Sequence, residues 1–133
     1  MKRLVMDIDG TITHISPGTP YSDVKPRWDV IETIREYRQQ GFEIIFYSSR
    51  NMKTYNNSVG AINAFTVPVM IEWLQKYNIP YDELHVGKPW CGDDGFYVDD
   101  KAIRPSEFRK MSYEKIKYLL EEEANFLAKD DTP

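Results

Sequence analysis

The sequence predicts an α/β fold in which helices flank a mostly parallel central sheet, because strand and helix patterns alternate along the chain. An apolar run at residues 2–7 indicates a first strand, and apolar side chains recur at helical spacing over residues 26–41. A second apolar strand follows from Phe42 to Tyr47. With 133 residues, the chain is expected to form one domain with one active site.

The helices have recognisable ends. Pro26 suits the first turn of a helix, and Gly41 suits the position just beyond its last turn. A second helix is predicted from about Thr66 to Tyr77, where Asn78 and Pro80 stop it. The order is completed by a short strand at 84–86, another at 96–98 and a C-terminal helix that Ser112 can cap.

Two internal segments and the end of the chain lack such patterns. Residues 12–25 are rich in Pro, Gly, Ser and Thr and predict an irregular flap, and residues 51–63 carry turn signals that predict a polar specificity loop. Neither segment is long enough to be a separate cap domain. We therefore expect a single domain over residues 1–128, whose site is open or is covered by the flap, the loop or another copy in a homo-oligomer. Residues 129–133 are expected to form a frayed tail.

Composition argues against several classes of function. Residues are 41% apolar and 29% charged, and a net charge of −4 with scattered Lys and Arg argues against nucleic acid as the main partner. The single cysteine, Cys91, permits no intramolecular disulfide and suits a reducing interior. There is no apolar stretch of about 18 residues and no signal-peptide pattern, so we expect no membrane contact and a cytoplasmic location.

The most informative motif is Asp7-Ile8-Asp9-Gly10-Thr11, which stands where the first strand ends. Residues i and i+2 of a strand share one face, so the carboxylates of Asp7 and Asp9 can converge. A carboxylate at the end of a buried strand needs a cation or hydrogen-bond donors to offset its desolvation. The alternative is that either Asp only forms a turn or caps a helix.

Polar side chains also follow the other predicted strands. Ser48 follows the second strand, Lys88 the third, and Asp99 and Asp100 the fourth. Carboxylates gathered at one sheet edge repel one another unless a hard divalent cation lies between them, and Mg²⁺ prefers carboxylate, carbonyl and water oxygens. A lysine and a hydroxyl beside that cation would complete a pocket for a phosphoryl group. Lys88 could instead be an exposed surface lysine, and Asp100 a helix or loop cap.

The chain resembles the haloacid dehalogenase superfamily of phosphohydrolases, whose first motif, DxDGT, matches residues 7–11. Ser48, Lys88 and the pair Asp99-Asp100 fit its second, third and fourth motifs in order, and the resemblance spans residues 2–108. It implies a Rossmann-like three-layer sandwich. The chain also looks like the small capless branch that includes phosphatases of capsule and polysaccharide biosynthesis.

The resemblance implies a role for each motif residue. Asp7 would be the nucleophile that forms an aspartyl-phosphate, and Asp9 the general acid and then the general base. Mg²⁺ would be held by the Asp7 carboxylate, the Asp9 backbone carbonyl and Asp99, with Asp100 bound directly or through water. Lys88 would neutralise charge and orient Asp7. Substrate binding is expected from Gly10, Thr11, Ser48, Ser49 and Arg50, with Ser48 favoured over Ser49 as the phosphate-binding hydroxyl.

The implied activity is Mg²⁺-dependent hydrolysis of a phosphomonoester, with a small phosphorylated metabolite such as a sugar phosphate as substrate. Two alternatives remain: a phosphotransferase of the same superfamily and a receiver-type phospho-acceptor module, whose lysine would follow its acids rather than precede the last pair. Arg50, Asn51, Lys53, Tyr55 and Trp90 are candidate specificity residues, and His14 could touch substrate from the flap. Trp28 and His85 are expected to pack in the core.

One feature of the chain leaves the topology of the predicted sheet open. Phe96 follows Lys88 by only eight positions, whereas a parallel crossover needs about a dozen residues or more.

Overall fold

A computed structural model describes residues 1–129 of the protein. Two compact units are present: the first is Met1–Trp90, and the second begins at Cys91. The expectation of one domain over residues 1–128 stays a prediction. The expected tail at 129–133 lies, apart from Lys129, outside the described residues.

The first unit is built on a parallel sheet of three strands, β1 (Arg3–Met6), β2 (Glu43–Ser48) and β3 (Glu83–Val86). Their order is β1-β2-β3, with Met6 opposite Phe46 and Ser48 opposite Val86. Because all three strands run in the same direction, their carboxyl ends lie along one edge of the sheet. The predicted α/β class with a mostly parallel sheet is confirmed.

Two helices of the first unit bury apolar faces. Helix α1 (Trp28–Gln39) places Val30, Ile31, Ile34 and Tyr37 inward, and helix α3 (Val67–Lys76) does the same with Met70, Trp73 and Leu74. Both agree with the predicted helices. The middle strand β2 contributes Ile44, Ile45 and Phe46, all nearly inaccessible to solvent. Each fully buried side chain of this size stabilises the fold by about 1.5–3 kcal/mol, which explains why apolar periodicity located these elements well.

The segments between these elements are more ordered than the sequence suggested. The predicted flap begins with Ile12 and Thr13, which are buried, and Thr13 forms a bridge with Pro26. In the predicted loop, turns lead to a short helix α2 (Val59–Ala61) and one π-helical turn (Ile62–Thr66) that runs into α3. The bridge, the turns and the short helical segments depend on local backbone conformation rather than on apolar periodicity. The spacing of apolar residues therefore did not predict them.

Up to Lys129, where the described part of the chain ends, the second unit contains two helices, α4 (Pro105–Lys110) and α5 (Tyr113–Leu127). Ser112 caps α5 as predicted, since its hydroxyl oxygen accepts a hydrogen bond from the Lys115 N–H at 3.2 Å. Helix α4 was not predicted. Its signal was present in Pro105 at the first helical turn and in Glu107, whose side chain accepts from the Arg104 N–H at 2.8 Å.

The predicted strand at 96–98 is wrong. These residues are outside any strand, and Phe96, Tyr97 and Val98 are 81%, 52% and 86% exposed. A strand needs a neighbour for its backbone hydrogen bonds, and the short connection from Lys88 gives too little chain for the crossover that a parallel neighbour requires.

Two predicted core residues are also on the surface. Trp28 is 48% exposed at the start of α1. His85 is exposed on β3 and pairs with Glu83 at 2.7 Å, because β3 is an edge strand with a solvated face. Within residues 1–129, no helix is both long and apolar enough to cross a membrane.

Candidate active site

Asp7 lies directly after β1 at the carboxyl edge of the sheet. It is half-buried, its Oδ2 accepts a hydrogen bond from the Thr11 hydroxyl at 3.4 Å, and the Lys88 Nζ lies 3.9 Å from its Oδ1. Burial raises the pKa of the Asp7 carboxyl above its ordinary value, the charge of Lys88 opposes this, and the nearby Asp9 adds to it. The nearby charge of Lys88 therefore favours the anionic form of this half-buried carboxyl, against the effect of burial.

The turn after Asp7 is held by its own backbone. The carbonyl of Ile8 accepts from the N–H groups of Thr11 and Ile12 at 3.1 and 2.9 Å. Gly10 has a φ of +80°, and a Cβ at this position would lie 3.3 Å from the Ile15 side chain. Substrate binding was expected at Gly10, and its N–H donates to the Thr13 hydroxyl at 3.2 Å.

Asp9 is held by a buried arginine. Arg50 Nε donates to Asp9 Oδ2 at 3.0 Å, and Arg50 Nη2 donates to Asp9 Oδ1 at 2.8 Å. The Arg50 side chain is 1% exposed and the Asp9 side chain 36%. Arg50 was expected to bind substrate, but two of its nitrogens are engaged by Asp9.

The ends of β2 and β3 meet beside this pair. Ser48 is buried, its Oγ accepts from the Arg50 N–H at 3.0 Å, and its carbonyl accepts from the Lys88 N–H at 3.2 Å. The Ser48 hydroxyl can still donate its own proton. Ser49 is half-buried, and its carbonyl accepts from the Met52 N–H at 3.1 Å.

The structure therefore brings together most of the predicted site in two connected groups. Asp7, Thr11 and Lys88 form one, and Asp9, Ser48 and Arg50 form the other. Asp99 and Asp100 belong to the second unit and are exposed, and the Asp99 carboxylate accepts from the Lys101 N–H at 2.8 Å. Over the described range, no three His, Cys, Asp or Glu side chains are grouped to hold a metal ion.

The donor chemistry of Asp7 and Asp9 nevertheless fits a hard divalent cation. The Asp7 carboxylate is an oxygen ligand in a desolvated position, where a positive charge is favourable. Arg50 occupies both carboxylate oxygens of Asp9, so the Asp9 backbone carbonyl is the better ligand from that residue. The resemblance implies the same two ligands, and this assignment stays a prediction.

The predicted specificity residues contact one another or the loop. Lys53 Nζ lies 5.2 Å from the ring centre of Trp90, and the rings of Tyr55 and Phe65 are 6.0 Å apart. Asn51 has a φ of +62°, and its side-chain oxygen accepts from the buried Thr66 hydroxyl at 2.7 Å. Asn51 therefore fixes the loop. His14 is exposed in the flap.

One site residue escaped the sequence analysis. Tyr21, in a short 3-10 turn of the flap (Tyr21–Asp23), places its ring 4.2 Å from the Arg50 guanidinium carbon. Partial burial and the charge of Asp9 raise the pKa of Tyr21, and Arg50 opposes them. Nothing in the local pattern distinguishes this tyrosine from the other eight in the chain.

Comparison with known proteins agrees with this geometry. Residues 1–93 match the family model described as the polynucleotide kinase PNKP phosphatase domain. The chain belongs to the haloacid dehalogenase superfamily of phosphatases. It is accordingly a phosphoric monoester hydrolase, and the expected superfamily and enzyme class are confirmed. The finer likeness to capsule-biosynthesis phosphatases stays a prediction.

Two solved structures are similar to this superfamily member. A crystal structure of a Vibrio cholerae protein is 55% identical, covering 92% of this chain and 99% of the other with a TM-score of 0.89. A structure of a Pnkp1/Rnl/Hen1 complex is 24% identical, covering 83% of this chain and 34% of the other with a TM-score of 0.50, and it supports the fold alone. No curated protein matches the chain significantly.

Proposed function

We propose that this phosphatase hydrolyses a small phosphorylated metabolite, of the sugar phosphate class, through an aspartyl-phosphate on Asp7. The observation that carries the proposal is the position of Asp7, a desolvated carboxylate at the carboxyl edge of a parallel sheet with Lys88 3.9 Å away. Ligands of open α/β sheets bind at this edge. The lysine orients the carboxylate and offsets part of the charge of an incoming phosphate.

The superfamily roles of Asp7 and Asp9 imply two chemical steps. An Asp7 oxygen attacks phosphorus, the bond from phosphorus to the leaving oxygen breaks, and Asp9 gives that oxygen a proton. Asp9 then takes a proton from water, whose oxygen attacks phosphorus and releases inorganic phosphate and the Asp7 carboxylate. Covalent catalysis divides one difficult displacement into two easier ones, and proton transfers of this kind contribute about 10²–10⁴-fold.

The remaining residues bind and orient the phosphoryl group. The Ser48 hydroxyl donates to a phosphoryl oxygen while its oxygen accepts from the Arg50 N–H. For Ser49 and Thr11, the proposed part in substrate binding rests on their places in or beside the motifs. The Asp7 carboxylate and the Asp9 backbone carbonyl would hold Mg²⁺, which would supply positive charge near the phosphoryl oxygens. The motif order alone would add Asp99, with Asp100 bound directly or through water.

Phosphate release from a panel of sugar phosphates and nucleotides, with and without chelator, tests this proposal. We expect activity on sugar phosphates that chelator abolishes and added Mg²⁺ restores. Activity that persists in chelator would remove the metal from the mechanism. An alcohol acceptor added to the assay separates hydrolysis from phosphotransfer, because a transferase converts the acceptor into a new ester.

A second candidate substrate is the phosphorylated end of a polynucleotide, since the matching family model describes the phosphatase domain of a polynucleotide kinase. The net charge of −4 weighs against it because phosphate backbones bind basic surfaces. Phosphorylated oligonucleotides in the same panel decide between the two.

We also propose a cytoplasmic location, because a single cysteine suits a reducing interior. We further propose a homo-oligomer in which another copy of the chain covers the open site.

Asp7→Asn should abolish turnover, because the amide is not a nucleophile for phosphorus. Asp29→Asn on the exposed start of α1 is the matched control and should keep full activity. Initial rates of phosphate release measure both variants. Turnover by Asp7→Asn at the rate of the control would refute the nucleophile assignment.

Asp9→Asn should accumulate phosphoenzyme, since the second step loses the base that activates water. Intact-protein mass spectrometry after rapid acid quenching detects the added phosphoryl group. Wild-type rates in this variant would contradict the acid–base role of Asp9.

A further inference from the structure

The guanidinium of Arg50 lies between the carboxylate of Asp9 and the ring of Tyr21. Its Nε and Nη2 bind the two Asp9 oxygens at 3.0 and 2.8 Å, and its central carbon is 4.2 Å from the ring centre of Tyr21. The two partners come from different segments, the turn after β1 and the flap. The three side chains thus form a stack, which we call the Asp9–Arg50–Tyr21 stack.

The Asp9–Arg50–Tyr21 stack is not expected to add much to the stability of the fold. Arg50 Nη1 is buried and has no hydrogen-bond partner within residues 1–129, and an unsatisfied buried donor destabilises a fold. Buried ion pairs, in addition, often contribute no more than apolar side chains of similar volume. Its geometry, by contrast, is specific: a planar fork fixes the plane of the carboxylate that it binds.

We propose that Arg50 is a positioning residue for Asp9 and that Tyr21 holds Arg50 in place from the flap. Each carboxylate oxygen has two lone pairs, and the fork uses one on each, so Asp9 keeps a lone pair for the proton that it transfers. Arg50 acts through Asp9 and does not touch the phosphoryl group. The inference rests on the proposed function, because it assigns a role within the same proton transfer.

Dependence on the leaving group tests this inference. An alkyl phosphate releases a strongly basic alkoxide, which needs the Asp9 proton. 4-Nitrophenyl phosphate releases a weakly basic phenolate, which does not. The parameter kcat/KM reports the steps through transfer to Asp7. For Arg50→Lys, kcat/KM on the alkyl ester should fall about 10-fold or more, a part of the roughly 10²–10⁴-fold that general acid catalysis contributes. On the aryl ester, kcat/KM should fall by less than about 3-fold, because the phenolate departs without a proton from Asp9.

Tyr21 provides an independent pair of variants, because it is 41% exposed and its replacement does not disturb the core. Tyr21→Leu removes the ring and should shift the alkyl-to-aryl ratio in the same direction, by about 3-fold, the equivalent of a cation–π contact of about 0.5–1 kcal/mol. Tyr21→Phe keeps the ring and should retain the wild-type ratio. If Arg50→Lys does not fold, the Tyr21 pair decides the question.

The matched control is Arg35→Lys on α1, where the guanidinium lies 5.9 Å from the ring centre of Trp28. It should leave the ratio unchanged. Equal losses of kcat/KM on both esters in the Arg50 and Tyr21 variants, or no loss at all, would overturn the inference. The proposed function would still stand if the wild-type protein is active. A wild-type protein that hydrolyses neither ester, tested with Mg²⁺, would overturn the proposed function and the inference with it.

Discussion

Gly10 follows Asp9 in the turn after β1, and its backbone conformation is one that suits glycine. Its φ of +80° is a conformation that other residues rarely adopt, and a Cβ here would approach the Ile15 side chain to 3.3 Å. The turn that it forms connects Asp7 and Asp9 to the rest of the flap. Gly10 belongs to the sequence motif, but only the structure shows that its N–H donates to the Thr13 hydroxyl.

Gly10→Ala should therefore destabilise the protein by about 1–2 kcal/mol, from the left-handed backbone conformation together with the close contact. Urea unfolding measures the change in the free energy of unfolding. Gly18→Ala is a matched control, because Gly18 has a φ of +82° but no atom within 4 Å of the added Cβ. Equal destabilisation by the two substitutions would show that the contact with Ile15 contributes nothing.

At the scale of secondary structure, Asp82 links α1 to the sheet just before β3. Its carboxylate accepts from the Ile44 N–H at 2.8 Å and from the Arg38 side chain. The Arg38 hydrogen bond, with that of Ile44, lowers the pKa of Asp82 from its ordinary value. A carboxyl with a lowered folded-state pKa stabilises the fold above its unfolded-state pKa of about 3.9, and this contribution is lost as pH falls through the folded-state value.

Asp82→Asn should accordingly reduce stability at neutral pH and flatten its decline below about pH 4. The loss should be less than about 1 kcal/mol, because solvent screens an exposed pair. Thermal melts from pH 2 to 7 measure it, and Glu121→Gln on the exposed face of α5 removes the same charge as a control. If Asp82→Asn loses stability below about pH 4 as steeply as the wild-type protein, Asp82 does not stabilise the fold through its charge.

Elements whose apolar spacing repeats were predictable, and isolated or tertiary features were not. Helices α1 and α3 and the three strands follow from side chains that recur toward one core, whereas α4 depends on a short capping pattern. The contact of Arg50 with Asp9 joins residues 41 positions apart, so no local spacing could reveal it. The same holds for Tyr21 over Arg50.

At the scale of the whole molecule, the site residues that the superfamily motifs name differ from the side-chain pairs that the structure shows. The motif order predicts a set of acids that includes Asp99 and Asp100, while the structure pairs Asp7 with Lys88 and Asp9 with Arg50. Groups at the ends of paired strands are placed by the sheet itself. Asp99 and Asp100 follow a segment that forms no strand, and so the sheet register does not position them.

Metal binding should register as a gain in stability of the whole protein, because a ligand that binds only the folded state stabilises it by mass action. At a Mg²⁺ concentration about 100 times Kd, the gain is about 2.7 kcal/mol. Asp7→Asn should lose most of the Mg²⁺-induced rise in Tm, whatever its effect on Tm without the ion, and Glu72→Gln on α3 should keep it. Asp99→Asn tests the motif order separately: a full Mg²⁺-induced rise in that variant would remove Asp99 from the ligand set while leaving Asp7 in it. Scanning calorimetry with and without chelator makes the measurement without requiring a substrate.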